Sequence, residues 1–335
     1  VMANPPFNVD DVNLDRVKNQ QRFNEYGIPQ NKTKKTAKKG KEKDVNTVPN
    51  ANYLWINLFA TSLKATGRAA LVMANSASDA RNSEADIRKT LIKSGVIDCM
   101  LTLPKNMFYT VTLPATLWFF DKSKSGSEPK VLFIDARNIF RQIDRAHREF
   151  TEEQIQNIAT IVRLYRGETK RLKELLNKYK LKATEYEEAA KKLLPAVTNA
   201  VNEFEKARLN LDSIQKKIET GKGDARQLQT EQTKANRELN RLQKEKEELE
   251  KKQKNLVDKH LYYLAQIDWL SERFPSGKYE DVTGLCKAAT LAEIEEQDWS
   301  LNSGRYVGVV IEEDGLSEDE FKIEMKERHF NLKLK

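Results

Sequence analysis

The sequence opens with Val-Met-Ala-Asn-Pro-Pro-Phe at residues 1–7, and this stretch determines how we interpret the rest of the chain. A short apolar run ends abruptly at Asn4, which predicts a buried strand that leads into a polar turn at the edge of a sheet. Pro5 and Pro6 fix φ twice and remove two backbone donors, and Pro6 also keeps Pro5 out of the helical region. The turn is therefore predicted to be rigid, with its carbonyl groups directed outward.

An amide side chain, a carbonyl group and an aromatic ring come together at this turn. The Asn4 Oδ1 atom and the Pro5 carbonyl can each accept a hydrogen bond from an exocyclic amine, while Phe7 can stack on a planar ring. An adenine flipped out of a duplex presents that shape. Two acceptors that polarise an amine favour attack by its nitrogen on an activated methyl group. For the tetrapeptide alone, an ordinary turn at a strand end remains the alternative.

The composition limits the class of protein. The 335 residues allow two domains or one domain with a long appendage. The formal net charge of +8 and the pI of about 9.1 favour a polyanionic partner. The two cysteines, Cys99 and Cys286, are typical of a reducing cytoplasm, and they exclude a disulfide framework and a zinc cluster. No apolar run is long enough to span a bilayer, so we expect no membrane partner.

Residues 29–50 are poor in hydrophobic side chains and rich in lysine, which predicts a basic flexible loop. A solvated, disordered loop is one interpretation. A flexible arm that meets DNA phosphates beside the flipped base is the other, because the loop follows the turn at residues 4–7. The candidate contacts with substrate in that case are Lys34, Lys35, Lys38 and Lys39.

Helical and strand patterns alternate between residues 50 and 135. A helix is predicted from residue 50, capped by Asn50 or Asn52 and ended by Gly67, and residues 83–93 predict a second helix. Alternation of this kind predicts a doubly wound sheet, which binds ligands at the carboxyl ends of its strands. The predicted strands are residues 68–75, which we expect to be a buried parallel strand, 96–103, 113–120 and 131–135.

Short motifs in this region are shared with one known family. From residue 1 to about residue 168 the chain resembles the modification (M) subunit of type I restriction–modification systems, which are adenine-N6 DNA methyltransferases. Asn-Pro-Pro-Phe after a hydrophobic strand also resembles the catalytic motif of amino-methylating DNA methyltransferases in general. The segments that carry the resemblance are residues 50–56, 67–69, 72–75, 87–89, 103–104, 107–109, 117–119, 134–137 and, late in the chain, 301–307.

The resemblance implies an α/β fold and a set of residue roles. Residues 1–168 would form the second half of a Rossmann-like class I methyltransferase sheet, followed by a long helical hairpin and a small C-terminal α+β tail. Asn4 and Pro5 would accept the hydrogens of the adenine amino group, Pro6 would stiffen the turn, and Phe7 would stack on the base. Phe108 is a candidate for a second base contact, with a core phenylalanine as the alternative.

The resemblance also implies S-adenosylmethionine as the methyl donor. Such enzymes hold the methionine part of this cofactor on a glycine-rich turn, and none of the 13 glycines here forms one. We therefore assign no cofactor-binding residue, and we expect this chain to be the C-terminal part of a longer or split protein and inactive alone. The implied partners are double-stranded DNA, a specificity (S) subunit, a second M subunit and, in systems that contain one, a restriction (R) subunit.

Residues 169–260 differ in character, because charge dominates and leucines recur at heptad spacing in the second half. They predict an antiparallel helical hairpin, with a kink at Pro195 and a turn at residues 221–224. Its apolar stripe is either the core of the hairpin or a face that packs on the S subunit. Residues 261–335 predict a globular tail, and its Trp269, Trp299 and Tyr306 can pack it onto the catalytic domain or the base of the hairpin, with a partner subunit as a further alternative. A final helix is predicted to begin at residues 317–320.

Three functional hypotheses follow from the sequence. The leading one is an adenine-N6 methyltransferase subunit of a type I complex. The second is a stand-alone adenine-N6 DNA methyltransferase with the same catalytic half. The third is a non-catalytic interaction fragment, because the glycine-rich turn for the cofactor is missing from the chain.

Overall fold

The computed structural model describes residues 1–10, 12–30, 48–108, 114–124 and 129–309. The chain forms two compact units, of which one comprises Val1–Gln154 with Asp281–Lys335 and the other comprises Ile155–Glu280. The sequence-based division into domains at residues 168 and 260 stays a prediction. The lysines at 34, 35, 38 and 39 and the final helix predicted from residue 317 lie outside the described residues.

The first unit contains a six-stranded mixed sheet. The predicted α/β class is confirmed at this level, and the four predicted strands lie within about two residues of their predicted bounds. The strands are β1 (Met2–Ala3), β2 (Arg68–Ala74), β3 (Ile97–Thr102), β4 (Ala115–Asp121), β5 (Lys130–Asp135) and, after the two strands of a separate hairpin, β8 (Cys286–Thr290).

The spatial order of the strands is β1-β2-β4-β3-β5-β8. Strands β1, β2, β3 and β5 run in one direction, whereas β4 and β8 run in the opposite direction. The strand predicted at residues 68–75 is therefore parallel to β1 and antiparallel to β4. The region of the predicted α+β tail contributes a strand and a helix, and its strand β8 pairs with β5 at the edge of the main sheet.

The helix predicted from residue 50 begins at Asn52, whose backbone N donates to the Asn50 Oδ1 atom over 2.9 Å. The prediction that Gly67 ends this helix is wrong. The helix stops at Thr61, and Gly67 instead closes a separate turn by donating to the Lys64 carbonyl. The helices of this unit are α1 (Leu14–Val17), α2 (Gln21–Asn24), α3 (Asn52–Thr61), α4 (Ser83–Lys93) and, near the end of the chain, α8 (Leu291–Glu296).

The core of the first unit is built from the sheet and from α3 and α4. Tyr53 of α3 is fully buried and packs edge-to-face on Trp118 of β4, with the ring centroids 6.3 Å apart. Tyr306 stacks on Phe133 of β5 at a centroid distance of 3.9 Å, so the late part of the chain belongs to the same core. Tyr306 therefore packs onto the sheet of the first unit.

The second unit is dominated by two long helices, α6 (Thr169–Glu219) and α7 (Ala225–Arg273), preceded by α5 (Glu152–Tyr165). The predicted antiparallel pairing is confirmed, because Lys246 lies over the Phe204 ring and His260 contacts the Ala183 carbonyl. Helix α7 continues to Arg273, and Trp269 lies on this helix. A kink at Pro195 stays a prediction. Among the described residues, no helix combines the length and the apolar character that crossing a membrane requires.

Candidate functional site

The parallel strands of the sheet bring four chain segments to one edge. Residues 4–7 follow β1, the 3₁₀ turn Asn75–Asp79 follows β2, residues 103–108 follow β3, and residues from Ala136 onward follow β5. Ligands of open α/β sheets bind at the carboxyl ends of their strands. This carboxyl edge is therefore the candidate site, and it contains the turn that the sequence singled out.

The four residues of the turn differ in their exposure. The Asn4 and Pro6 side chains are exposed, Phe7 is half-buried and Pro5 is buried. The Asn4 side chain makes no hydrogen bond with any residue that the structure describes, so its amide is available to a ligand. The turn thus carries an exposed amide and a half-buried aromatic ring, and the role of each residue stays a prediction.

A reciprocal pair of amides holds the end of this turn in place. Asn8, at φ +52°, donates from its backbone N to the Asn52 Oδ1 atom over 2.9 Å, and Asn52 Nδ2 donates to the Asn8 Oδ1 atom over 2.8 Å. The Ala51 backbone N adds a hydrogen bond to the Val9 carbonyl. The left-handed conformation suits asparagine. The turn is therefore locked to the start of α3, a link that the sequence analysis missed.

The prediction that the strand before the turn is buried is wrong. Val1 and Met2 have 68% and 86% of their surface exposed. Strand β1 is an edge strand, and β2 is the one strand that pairs with it among the described residues. Apolar character favours burial only where a neighbouring element covers the strand, and none does so in the described part of the chain.

The other segments of the carboxyl edge satisfy their polar side chains within the unit. Thr116 Oγ1 donates to the Asn75 Oδ1 atom over 2.8 Å. Asp79 accepts hydrogen bonds from the Ser300 hydroxyl and from Asn302 Nδ2, and Arg305 lies 3.8 Å from the same carboxylate. The late motif at residues 301–307 thus packs against the turn that follows β2.

Tyr306 fixes this late motif to the sheet. Its hydroxyl donates to the Ser300 carbonyl over 2.6 Å, and burial raises the pKa of the phenol well above its usual range. Thr102 at the end of β3 donates to the Ser303 hydroxyl over 3.1 Å. Arg88 of α4, which is 3% exposed, donates to the Trp299 carbonyl. The motif is therefore a structural support of the carboxyl edge.

Phe108 is half-buried in the segment that follows β3, and its role as a base contact stays a prediction. The loop at residues 29–50 is described only at its two ends.

The described residues do not provide a cradle for the methionine part of S-adenosylmethionine. The segments after β1, β2, β3 and β5 begin at Asn4, Asn75, Leu103 and Ala136, and none of them is glycine-rich. Gly304 does lie at this edge, but a Cβ placed on it would stand 3.2 Å from the Arg137 Nη2 atom, so the arginine already fills the space.

Comparison with known proteins identifies the class. The model of the N-6 DNA Methylase family matches residues 1–198 and 228–315, so this chain belongs to that family. The resemblance to type I M subunits is confirmed by curated relatives. The Type I restriction enzyme MjaIX methylase subunit of Methanocaldococcus jannaschii is 36% identical over 166 residues, which are 49% of this chain and 28% of that protein. The HindI methylase subunit of Haemophilus influenzae is 35% identical over 160 residues, which are 48% of this chain and 32% of that protein.

A solved structure is also similar. The type I restriction-modification methyltransferase subunit from Streptococcus thermophilus aligns with a TM-score of 0.40 and 23% identity, over 49% of this chain and 31% of that one. The chain thus spans about a third of the length of the relatives that it matches.

Proposed function

We propose that this chain holds the target base of an adenine-N6 DNA methyltransferase that acts as the M subunit of a type I restriction–modification complex. One observation carries the proposal: an exposed asparagine with no hydrogen-bond partner among the described residues stands on a locked turn at the carboxyl edge of the sheet. Membership of the N-6 DNA Methylase family supports it. In this proposal the sheet is the second half of a class I methyltransferase sheet.

The turn acts by orienting a flipped adenine. Asn4 Oδ1 and the Pro5 carbonyl accept the two hydrogens of the amino group, which aims the lone pair of the nitrogen, and Phe7 stacks on the ring. Pro6 keeps these groups from moving as the base enters. S-adenosylmethionine supplies the electrophilic methyl group. Orientation of this kind removes much of the entropic barrier to reaction.

Other parts of the assembly complete the enzyme. Because the described residues offer no glycine-rich turn, we assign the cofactor to a segment outside them, and we expect this chain alone to be inactive. The helical hairpin exposes apolar side chains on α6 and α7, which supports docking of an S subunit that selects the DNA sequence. The most exposed of these are Leu181, Leu194, Leu209 and Leu261. A second M subunit and, where present, an R subunit complete the proposed complex on double-stranded DNA.

Methyl transfer from labelled S-adenosylmethionine to DNA tests the proposal, with the product base identified by mass spectrometry. In the assembled complex Asn4→Ala should lower transfer at least about 100-fold, the size expected when one preorganised group is removed from a site. Assembly and DNA binding should be retained. Asn202→Ala, which removes an exposed asparagine from α6, is the matched control. Full activity of the Asn4→Ala complex, or label on a base other than adenine, would contradict the proposal.

The second candidate is a non-catalytic interaction fragment, and the lack of a glycine-rich turn among the described residues favours it. Calorimetry of S-adenosylmethionine with this chain and with the complex separates the two. Cofactor binding by the complex and not by the chain supports the leading proposal, whereas a stable complex that binds no cofactor supports the second. A stand-alone enzyme would instead methylate DNA without an S subunit.

A further inference from the structure

A small two-stranded hairpin at the carboxyl edge carries a concentration of positive charge. Its strands are β6 (Arg141–Gln142) and β7 (Arg148–Glu149), which pair in antiparallel fashion. Residues 137–149, which we call the arginine hairpin, contain four arginines and two carboxylates. Residues 141–146 are exposed, and Ile143 has half of its surface open to solvent. Nothing in the proposed role of the Asn-Pro-Pro-Phe turn uses this element.

The two carboxylates of the hairpin are engaged within it. Asp144 Oδ1 accepts hydrogen bonds from the backbone N atoms of Ala146 and His147, and the carboxylate also contacts the His147 ring. Glu149 pairs with Arg141 across the two strands. Arg145 lies at the tip, and no carboxylate of the described residues pairs with it. The tip therefore presents a guanidinium that is available to an external anion.

The other arginines are held in place and keep part of their surface accessible. The Arg148 guanidinium lies over the Phe140 ring at 3.9 Å, and its Nε donates to the Gln142 Oε1 atom over 3.0 Å. Arg137 forms a two-point contact with Asp135, and its side chain is still 56% exposed. An arginine that is held in place, as Arg148 is, suits planar recognition of phosphate oxygens, whereas the two-point contact of Arg137 is already made with Asp135.

The hairpin stands on the same sheet edge as the Asn4 turn, within the same compact unit. It follows β5 directly, and the Arg148 backbone N donates to the Asn106 carbonyl in the segment after β3 over 2.9 Å. Four inter-strand steps separate β1 from β5 in the sheet. At about 4.8 Å for each step, the root of the hairpin lies about 19 Å across the edge from the turn.

We propose that the arginine hairpin binds backbone phosphates of the DNA about five or six base pairs from the flipped adenine. This inference rests on the proposed function and places the DNA axis along the sheet edge. The spacing then follows from dividing about 19 Å by the rise of about 3.4 Å per base pair. Contacts with phosphates set the register of a protein on its DNA without reading the sequence. The hairpin would therefore help to position the target base opposite Asn4, while another subunit selects the site.

The salt dependence of DNA binding by the assembled complex tests this role. Arg145→Gln should reduce the slope of log Kd against log salt concentration by about 0.9, and R145Q/R148Q by about 1.8. The binding defect of the double variant should then be about twelvefold larger at about 50 mM salt than at about 200 mM. Lys64→Gln is the control, since this exposed lysine precedes β2 and lies at the opposite edge of the sheet. A slope equal to that of Lys64→Gln would overturn the inference.

The position of the hairpin on DNA can be measured directly. Cys99 and Cys286 are each 1% exposed, so a thiol reagent directed at an Arg145→Cys variant should label the new cysteine. With iron–EDTA tethered there, backbone cleavage should centre about five or six base pairs from the target adenine. Cleavage next to the adenine, or no cleavage while DNA is bound, would refute the inference. If the salt slopes change as expected and adenine is not methylated, the phosphate contact of the hairpin holds, whereas the proposed function fails and with it the placement of a target base opposite Asn4.

Discussion

The hydrogen-bonded pair of Asn8 and Asn52 gives a prediction that tests whether this pair positions the Asn-Pro-Pro-Phe turn for catalysis or only stabilises the fold. Asn52 is 3% exposed and exchanges two hydrogen bonds with Asn8, directly after the Asn-Pro-Pro-Phe turn. Asn52→Ala removes both bonds and leaves the Asn8 backbone N without its acceptor. Asn52→Asp keeps that acceptor and loses the donor to the Asn8 Oδ1 atom.

The size of the effect on stability follows from these bonds. Each contributes about 1 kcal/mol net, so Asn52→Ala should lower the free energy of unfolding by about 2 kcal/mol. For a unit of this size the melting temperature falls by roughly 4–8 °C. Asn52→Asp should lose about half as much, because one bond remains and a carboxylate at the start of a helix is favourable.

The effect on catalysis should be larger than the effect on stability. A displacement of about 1 Å in a positioning group can lower a rate about 100-fold. We therefore expect Asn52→Ala to reduce kcat for methyl transfer about 100-fold, with KM for DNA unchanged, at a temperature where the variant is folded. Asn52→Asp should recover part of the rate. If kcat stays at the wild-type value while the melting temperature falls, the pair stabilises α3 without positioning the turn.

Two further predictions concern the elements that support the sheet. Tyr306→Phe keeps the stacked ring and removes the hydrogen bond to the Ser300 carbonyl, so the free energy of unfolding should fall by about 1 kcal/mol, as measured by urea denaturation. The hydrogen bond from Lys287 and that from the Thr290 backbone N lower the pKa of Glu293 to about 2, against an ordinary value of 4.5. The pKa of Glu293 is lower in the folded state than in the unfolded state. Its ionised carboxylate therefore stabilises the fold fully above about pH 4.5, and this contribution is lost as the pH falls toward about 2. Glu293→Gln should flatten the decline of stability in that window, and an unchanged pH profile would contradict the assignment.

The sequence predicted the elements whose residues carry their own signal. Strands β2, β3, β4 and β5 are runs of buried apolar residues, and such runs are typical of interior strands. Strand β8 was missed because Cys-Lys-Ala-Ala-Thr has one β-branched residue, and its pairing with β5 depends on tertiary contacts. Burial of β1 was predicted wrongly for a related reason, since burial depends on neighbours that local sequence does not specify.

In the candidate site, too, some features could be predicted from local sequence and others depend on contacts between distant residues. The turn at residues 4–7 could be found from the sequence, because a proline pair after a strand has direct backbone consequences. The hydrogen bonds between Asn8 and Asn52, which hold this turn, join residues 44 positions apart, and the Asn302–Asp79 contact joins residues 223 positions apart. No periodicity or local motif connects such pairs. The positive φ of Asn8 does have a local signal, because asparagine tolerates the left-handed region, but many asparagines share that property.

The contrast between Asn4 and its surroundings is the strongest structural argument for a binding role. Asn75, Asp79 and Asp135 lie at the same edge, and each is hydrogen-bonded within the unit. Asn4 alone among these four residues has no hydrogen-bond partner in the described part of the chain. Because the neighbouring polar groups are already hydrogen-bonded, they need little reorganisation when a ligand binds to the unpaired Asn4 amide. Such preorganisation is how protein dipoles stabilise a reacting group. A substitution that gives the Asn4 side chain a hydrogen-bond partner within the protein would remove this preorganisation. We therefore expect such a substitution to lower methyl transfer even though the Asn4 amide is retained.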